Sequence, residues 1–310
     1  MTRGFVTIAT GKEQYYKIAH NLLLSYRYFS SSPMPFAIIA EEENVYTADF
    51  DDVVITNEAH RSFMDKFLLM KFCPYDENIF IDADSLAYGD LNEYWEIFEN
   101  STDFSAAGVN VPRDQKENVW YNVEDIWKYG EKLEYKVRVH TGVCFIRKSE
   151  SLTKLYADCM DIWNNYDKLY FHSYPKSVDE CVLGVAMPMN NMKAESLRAN
   201  MCAAYPCLTY LKADILNGKL EYKTPWGKNS DQGIHLHFGT IQTYKAVYRF
   251  NAECLKYMYQ YKGNAFPLGK RILYNYKIRY YYLRAVQGIN ALSAKIKRVL
   301  SKLFGKGDIR

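Results

Sequence analysis

The sequence lacks several features that would place the chain in a specialised class of protein. No stretch approaches the roughly 18 uninterrupted apolar residues that a transmembrane helix needs. The first residues enter a strand-like run without a signal-peptide pattern. The sequence also has no internal repeat and no low-complexity linker. These absences favour a folded globular protein, which we expect to be cytoplasmic.

Cysteine is sparse and scattered along the chain. There are 7 cysteines, an odd number, and the closest pair, Cys202 and Cys207, does not have the spacing of a cysteine metal site. This usage favours reduced thiols over a disulfide framework.

The charge of the chain is divided unevenly. From Cys254 onward there are 13 Lys and Arg against a single acid, Asp308, so this end carries +12 and the remainder −9 within a net charge of +3. The asymmetry predicts an acidic body with a basic appendage that suits an anionic surface.

Strand-like and helix-like patterns alternate along the chain. This alternation predicts an α/β fold with a largely parallel sheet covered on both faces, whose ligands bind beyond the carboxyl ends of the strands. We expect one catalytic domain over residues 1–250 and a basic, Tyr-rich helical tail over residues 251–310. The predicted strands are 5–10, 36–40, 53–56, a strand ending at Asp82, 104–109, 139–146 and 233–238, and the predicted helices are 14–29, 63–72, 149–164, 179–187 and 251–261.

Two carboxylates follow the apolar run Ile79-Phe80-Ile81. In extended geometry the side chains of Asp82 and Asp84 leave the same face of the strand, because only Ala83 lies between them. Two anionic oxygen donors at one place need a cationic partner, and a hard divalent ion also keeps coordination sites open for phosphate. The pattern therefore predicts a metal-bound phosphate compound, and we expect a nucleotide-sugar.

The same pair is open to three other interpretations. The pair could be a solvated turn. A calcium loop fails because Leu86 stands where an oxygen ligand is required and a strand, not a helix, precedes the loop. An aspartyl phosphotransferase would use Asp82 as its nucleophile, although that class usually carries the pair near its N-terminus. This last alternative stays open.

Four landmarks in order along the chain give it a resemblance to a known family. The chain resembles the retaining glycosyltransferases that include glycogenin and the bacterial lipooligosaccharide galactosyltransferases, over roughly residues 5–248. The landmarks are the opening strand Val6-Thr7-Ile8-Ala9-Thr10, Asp65-Lys66-Phe67 ahead of Asp82-Ala83-Asp84, His140-Thr141-Gly142-Val143, and His237-Phe238-Gly239.

The resemblance implies a GT-A fold, that is, a Rossmann-like α/β/α sandwich, with a UDP-sugar donor and a Mn²⁺ ion, Mg²⁺ being the alternative. It implies that Asp82, Asp84 and His237 hold the metal, with His235 as a rival ligand, and that Asp179, Glu180 and Lys66 are catalytic. The donor-binding residues that it implies are Thr10, Tyr15, Lys66, Asp82, Ala83, Asp84, His140, Thr141, Gly142, Gly239 and Lys245.

Three positions depart from the pattern of the family. His140 stands where the family has Asn, and Glu180 where it has Gln, so Glu180 could act as a nucleophile or only as a polar replacement. The Lys-Pro-Trp expected after His237-Phe238-Gly239 is absent. Lys245 and Lys228 are the candidates for the missing phosphate contact.

The C-terminal tail interleaves basic and aromatic residues. Ile289, Leu292, Ile296, Val299 and Leu303 predict one apolar helical face, which suits the interface of an anionic membrane. Packing of this helix on the body is the alternative, and without a recognition motif we expect no nucleic acid partner.

Together these features predict an enzyme that transfers a hexose, glucose or galactose, from a UDP-sugar. The expected acceptor is a cell-surface glycan or a lipid-linked acceptor, and the expected outcome is retention at the anomeric carbon. We expect it to act in polysaccharide biosynthesis at the inner face of the membrane. A sugar-nucleotide binding protein with little catalytic activity is a further alternative.

Overall fold

A computed structural model describes most of the chain. The described residues are 1–115, 121, 126–169, 171, 178–225, 227, 229–239, 243, 245–260, 281–289, 292–293 and 295–296. Lys228 and much of the tail, including Val299 and Leu303, lie outside them, so the predictions for those residues stay predictions.

Strands and helices alternate through the first half of the chain, as the sequence pattern predicts. The strands are β1 (Arg3–Ala9), β2 (Phe36–Ala40), β3 (Asp52–Ile55), β4 (Glu77–Ile81), β5 (Ser85–Ala87), β6 (Phe104–Pro112), β7 (Tyr135–Arg147), β8 (Ala203–Ala204), β9 (Tyr210–Asp214), β10 (Lys219–Lys223), β11 (Asn229–Ser230) and β12 (His235–His237). The helices are α1 (Glu13–Phe29), α2 (Leu69–Phe72), α3 (Glu93–Phe98), α4 (Trp127–Gly130), α5 (Glu150–Asn164), α6 (Asp179–Met189) and α7 (Ala246–Gln260), and a 3₁₀ helix over Phe63–Leu68 precedes α2.

A six-stranded sheet forms the centre of the fold, with the order β3-β2-β1-β4-β7-β6. β3, β2, β1 and β4 are parallel, whereas β7 runs antiparallel to both β4 and β6. The sheet is therefore mostly parallel, with one reversed strand beside β4. The carboxyl ends of β1 and β4 lie at the same edge, which is where ligands bind in such sheets.

Apolar side chains cover both faces of this sheet. Alternating residues of β1 divide between two buried clusters, with Phe5 in one and Val6 in the other. The first cluster includes residues of α1, α3 and α7, and the second includes residues of α2, α5 and α6. Because burial on both faces requires a nearly continuous apolar strand, the run in β1 predicts this layered arrangement.

Two small sheets complete the described part of the fold. β12 pairs antiparallel with β5 and parallel with β8, so the late histidine strand lies beside the segment that follows Asp82 and Asp84. β9, β10 and β11 form an antiparallel sheet. The sequence pattern does not predict β5 or any of β8–β11, because these short strands lack the continuous apolar runs that mark β2 and β4.

Most predicted elements agree with the structure to within a few residues. Four differ in kind or length. The predicted helix 63–72 is a 3₁₀ helix for its first six residues, and the predicted strand 233–238 is paired only over β12. The predicted strand 139–146 begins earlier, at Tyr135 in β7, and the predicted helix 251–261 begins earlier, at Ala246 in α7. The predicted domain boundary after residue 250 falls inside α7.

The described tail segment packs against α7. Leu283 is buried in the first apolar cluster, and the side chain of Gln287 accepts a hydrogen bond of 3.0 Å from the backbone N–H of Ala246 at the start of α7. Tyr281, Tyr282 and Ile289 are exposed. Among the described residues, no helix combines the length and the apolar character required to cross a membrane.

Candidate metal centre

Asp82 and Asp84 lie directly beyond the carboxyl end of β4, held by backbone hydrogen bonds to two other segments. The N–H of Asp82 donates to the carbonyl of Gly142 on β7 at 3.0 Å, and the N–H of Phe238 donates to the carbonyl of Asp84 at 2.9 Å. These bonds bring the carboxylates next to β7 and to the end of β12.

His237 completes a cluster with the two carboxylates. Its Nε2 atom lies 3.0 Å from Oδ1 of Asp84 and 3.5 Å from Oδ2 of Asp82. One ligand atom from each of the three residues lies within 4.8 Å of the others, and within the described residues this is the only such group of three or more His, Cys, Asp or Glu. The register His237↔Ser85 between β12 and β5 produces this approach.

The rival ligand His235 has a different environment. Its side chain is fully buried, and its Nδ1 atom lies 2.7 Å from the hydroxyl of Tyr94. Burial holds the pKa of His235 well below its usual value, since a charged imidazolium would lose its hydration there. The structure therefore places His237, and not His235, against the two carboxylates.

The donor set fits a divalent cation that accepts both oxygen and imidazole ligands, as Mn²⁺ does. Burial by itself would lower the pKa of His237, but the carboxylates of Asp84 and Asp82 outweigh this effect and raise it to about 10. The carboxylates thus already balance a positive charge at this position. A bound cation would take the place of the proton on Nε2.

Lys66 lies at the centre of a second set of contacts, which adjoins the first. Its Nζ atom donates to Oδ2 of Asp82 at 2.8 Å and to the hydroxyl of Thr141 at 2.9 Å, and lies 3.1 Å from Oδ2 of Asp179. Burial would lower the pKa of Lys66, but Asp179 and Asp82 hold it well above its usual value. The same lysine and His237 lower the pKa of Asp82 against the opposing effect of burial.

Asp179 and Glu180 occupy the first turn of α6, where carboxylates also favour the helix dipole. Asp179 is buried and accepts a hydrogen bond from the hydroxyl of Thr141. Burial, together with the charge of Asp179, raises the pKa of Glu180 to about 7. The helix thus presents one carboxylate paired with Lys66 and a second that is protonated more readily than a free glutamate.

An irregularity in β7 directs two of these side chains. The pairing of β6 with β7 passes from Ala106↔Cys144 to Ala107↔His140, so residues 141–143 bulge from the ladder. Bulges commonly redirect side chains beside functional sites. Here Thr141 faces Lys66 and Asp179, whereas Nε2 of His140 lies 3.0 Å from Nδ1 of His237.

Asp65 organises the loop beside Thr10 at the carboxyl end of β1. The carboxylate of Asp65 accepts hydrogen bonds from the Thr10 hydroxyl at 2.6 Å and from the backbone N–H groups of His60 and Arg61 at 2.6 and 2.9 Å. The next residue in the chain is Lys66, so these bonds help to fix its starting position.

Glu41 and Arg61 were missed by the sequence analysis. The carboxylate of Glu41 accepts hydrogen bonds from the backbone N–H of Gly11 and from the guanidinium of Arg61. Gly11 has φ +83°, a conformation that favours glycine and lets the chain turn from β1 into α1. Glu41 could have been found from the sequence, because it directly follows β2 and therefore lies at the same edge of the sheet as Thr10.

Comparison with known proteins gives structural likeness without a sequence match. No protein-family model matches the sequence, and a search of curated proteins returns no relative. Among solved structures, the galactosyltransferase LgtC in complex with donor and acceptor sugar analogues is 11% identical, with 87% of this chain and 99% of that chain covered and a TM-score of 0.49. The bifunctional glycosyltransferase WbbM is 13% identical, with 79% and 47% covered and a TM-score of 0.48. Mouse xyloside xylosyltransferase 1 is 12% identical, with 78% and 99% covered and a TM-score of 0.44.

The chain spans about half of the length of WbbM and nearly all of the length of LgtC. The strand order and pairing of the central sheet confirm the prediction of an α/β fold with a mostly parallel sheet.

The remaining predicted donor contacts lie on neighbouring segments. Tyr15 is in the first turn of α1, with its backbone N–H bonded to the carbonyl of Lys12, and Lys245 directly precedes α7. Gly239 follows Phe238 with φ +68°. Their roles stay predictions.

Proposed function

We propose that this protein is a metal-dependent glycosyltransferase. It moves a hexose, glucose or galactose, from a UDP-sugar to a cell-surface glycan or a lipid-linked acceptor, with retention of the anomeric configuration. The observation that carries this proposal is the convergence of Asp82, Asp84 and His237 within 4.8 Å, beside the ammonium of Lys66.

The chemistry needs negative charge to be balanced as the sugar leaves its diphosphate. The bond from C1 to the diphosphate oxygen breaks, the departing UDP takes the electron pair, and the acceptor oxygen forms the new bond to C1. A bound Mn²⁺ ion would neutralise the diphosphate without a proton transfer. Lys66 provides a second cation that follows the developing charge, and Asp179 beside it accepts hydrogen bonds from sugar hydroxyls.

Retention at C1 requires either two successive displacements at C1 or attack of the acceptor on the face of the sugar from which UDP departs. In the first case a carboxylate oxygen of Glu180 attacks C1 as UDP leaves. The acceptor hydroxyl oxygen then displaces Glu180 and loses its proton to solvent or to the departed diphosphate. The location of Glu180 next to Asp179, in the first turn of α6, supports this role.

A polar cavity between α1 and α7 supports binding of the acceptor nearby. Its volume is about 610 Å³, and its lining includes three basic side chains, Lys17, Arg249 and Lys256, and two acidic ones, Glu13 and Glu253. The ring of Tyr248 packs edge-on against Phe238, the neighbour of His237, with centroids 5.0 Å apart. The cations suit the phosphate of a lipid-linked acceptor.

The tail supports a location at the inner face of an anionic membrane. Ile289, Leu292 and Ile296 recur at helical spacing, and all three are exposed. Together with the +12 charge of the chain from Cys254 onward, they form an amphipathic basic segment. A lipid-linked acceptor would be presented at such a surface.

Calorimetric titration of UDP in the presence of Mn²⁺ tests the proposed donor site. We expect binding that requires Mn²⁺ and is lost in Asp84→Asn, while the surface control Asp49→Asn behaves as the wild type. Donor screening with NMR of the anomeric product then identifies the sugar and the stereochemistry.

Three results would contradict the proposal. One is UDP binding that ignores Mn²⁺ and Asp84. The second is a trapped aspartyl-phosphate on Asp82, which would identify a phosphotransferase. The third is tight UDP binding without turnover on any acceptor pool, which would identify a binding protein.

A further inference from the structure

The imidazole rings of His140 and His237 are in direct contact. Nε2 of His140 lies 3.0 Å from Nδ1 of His237, and the rings meet edge to face, at 68° with centroids 4.9 Å apart. The opposite nitrogen of His237, Nε2, is the atom that faces Asp84 and Asp82. His237 is thus held between His140 on one side and two carboxylates on the other.

We propose that His140 is the positioning residue for His237 at the metal centre. His140 accepts a hydrogen bond from Nδ1–H of His237 and thereby directs the lone pair of Nε2 toward the cation. This inference rests on the proposed function, because it assumes the metal centre of Asp82, Asp84 and His237.

The assignment of roles follows from the chemistry of imidazole. A histidine that binds a metal through Nε2 keeps its proton on Nδ1, and that N–H needs an acceptor. Metal-binding histidines usually donate this proton to a carboxylate, a backbone carbonyl or water. Here the atom within hydrogen-bond distance is the ring nitrogen of His140, which accepts when its own proton is on Nδ1.

The backbone around His140 supports this arrangement. His140 directly precedes the bulge in β7, and Gly142 within the bulge leaves room for both rings. A Cβ atom at Gly142 would lie 2.7 Å from Cε1 of His140 and 3.1 Å from Nδ1 of His237. Any larger residue there would push the two rings apart, so the pair depends on this glycine.

The resemblance to the glycosyltransferase family implies a donor contact at position 140. The structure instead directs Nε2 of His140 to His237. This nitrogen does not join the group of possible metal ligands, because it faces the nitrogen of His237 that points away from the carboxylates. The function that we infer for His140 is therefore indirect, through the orientation of the ligand.

Mn²⁺ binding by the full-length protein tests the proposal without reference to activity. The affinity is measured by calorimetry, and coordination by imidazole is measured from the ¹⁴N coupling to Mn²⁺ in pulsed electron paramagnetic resonance. We expect His140→Ala to weaken Mn²⁺ binding about 10- to 100-fold, as loss of outer hydrogen bonds to metal ligands generally does, and to change the ¹⁴N coupling. His140→Gln, whose amide oxygen can accept the same bond, should recover part of both.

A surface histidine provides the matched control. His20 pairs with Asp49, and His20→Ala should leave both readouts as in the wild type. Wild-type affinity and an unchanged ¹⁴N coupling in His140→Ala would overturn the role of His140 alone. Failure of the wild-type protein to bind Mn²⁺, or binding that Asp84→Asn does not affect, would overturn the metal centre and this inference with it. If His140→Ala does not fold, His140→Gln is compared with His140→Leu, whose side chain cannot accept a hydrogen bond. Equal Mn²⁺ affinity and equal ¹⁴N coupling in these two variants would also overturn the inference.

Discussion

Oδ2 of Asp179 lies 3.1 Å from Nζ of Lys66, although the two residues are far apart in the chain. The same ammonium contacts Asp82 at 2.8 Å, so one lysine joins the strand-end carboxylates to the first turn of α6. This connection places the proposed metal centre and the proposed sugar-facing carboxylate in one charge network. Changes at one member should therefore alter the others.

Removal of the Lys66 charge should destabilise the metal-free protein. Lys66→Met would leave Asp82 and Asp179 without their shared cation, and breaking a buried pair in this way typically costs about 3–5 kcal/mol in the free energy of unfolding. We expect a smaller loss in saturating Mn²⁺, because the metal supplies positive charge to Asp82. Urea denaturation in chelator and in Mn²⁺ measures both values. Lys71→Met, at the exposed pair with Glu58, is the control and should change little. An equal loss under both conditions would show that Lys66 and the metal do not share this site.

The stability of the metal-free protein should decrease as the pH rises through the range in which Glu180 loses its proton. The folded-state pKa of Glu180, about 7, is above the ordinary glutamate pKa of 4.5, so between these pH values the folded state binds more protons than the unfolded state. The cost of ionising Glu180 is then fully present above about pH 7. Glu180→Gln removes it, and we expect this variant to equal the wild type near pH 4 and to be more stable near pH 8 by roughly 1–3 kcal/mol. Urea denaturation in chelator at the two pH values measures the difference. A constant difference between the proteins at both pH values would contradict the prediction.

Replacement of Gly142 should weaken metal binding more than it destabilises the fold. Gly142→Ala would force the rings of His140 and His237 to move, since the added carbon approaches both within about 3 Å. We expect Mn²⁺ affinity to fall by at least about 10-fold, which calorimetry measures, with a smaller effect on thermal unfolding. Gly288→Ala is the matched control, because nothing lies within 4 Å of the added carbon and its helix should be stabilised by up to about 1 kcal/mol. Wild-type affinity in Gly142→Ala would mean that the rings tolerate displacement.

The exposed apolar face of the tail should bind anionic membranes. We expect the full-length protein to sediment with vesicles that contain phosphatidylglycerol, to release as salt is raised, and to ignore neutral vesicles. Leu292→Glu should reduce this binding severalfold. The control is Val45→Glu, at an apolar position on the body that is even more exposed than Leu292. Identical binding by the two variants would indicate that Leu292 does not meet the lipid.

The basic residues of the α1–α7 cavity should affect the acceptor and not the donor. Lys17→Ala and Lys256→Ala remove cations from its lining. For an acceptor that carries phosphate, we expect KM for the acceptor to rise roughly 3- to 10-fold while KM for the donor stays unchanged. Steady-state kinetics with each substrate varied in turn measures the two constants, with Lys71→Ala as control. A rise in the donor KM instead would assign the cavity to the nucleotide-sugar.

Several elements could be predicted because their signal is local. β2 was predicted with its observed bounds, and α1 and α5 to within one residue, since a continuous apolar run and a helical repeat are properties of short segments. The position of Asp82 and Asp84 directly after a buried strand follows from the same kind of pattern. Elements that are very short, or whose pairing depends on residues far away in the chain, could not be predicted. β5 is three residues long, and the pairing partner of β7 depends on a strand more than fifty residues earlier in the chain.

The sequence by itself determined the alternation of strands and helices, the pair of carboxylates at a strand end and the concentration of positive charge in the tail. Each of these is a property of neighbouring residues. Which of the two histidines, His235 or His237, lies against the carboxylates depends on tertiary structure. The two residues are separated by one position and carry the same side chain, so no local pattern distinguishes them. The difference comes from packing: Tyr94 bonds to His235, while the pairing of β12 with β5 brings His237 to Asp84. In the same way, His140 became part of the proposed metal centre only when the bulge in β7 brought its ring against that of His237.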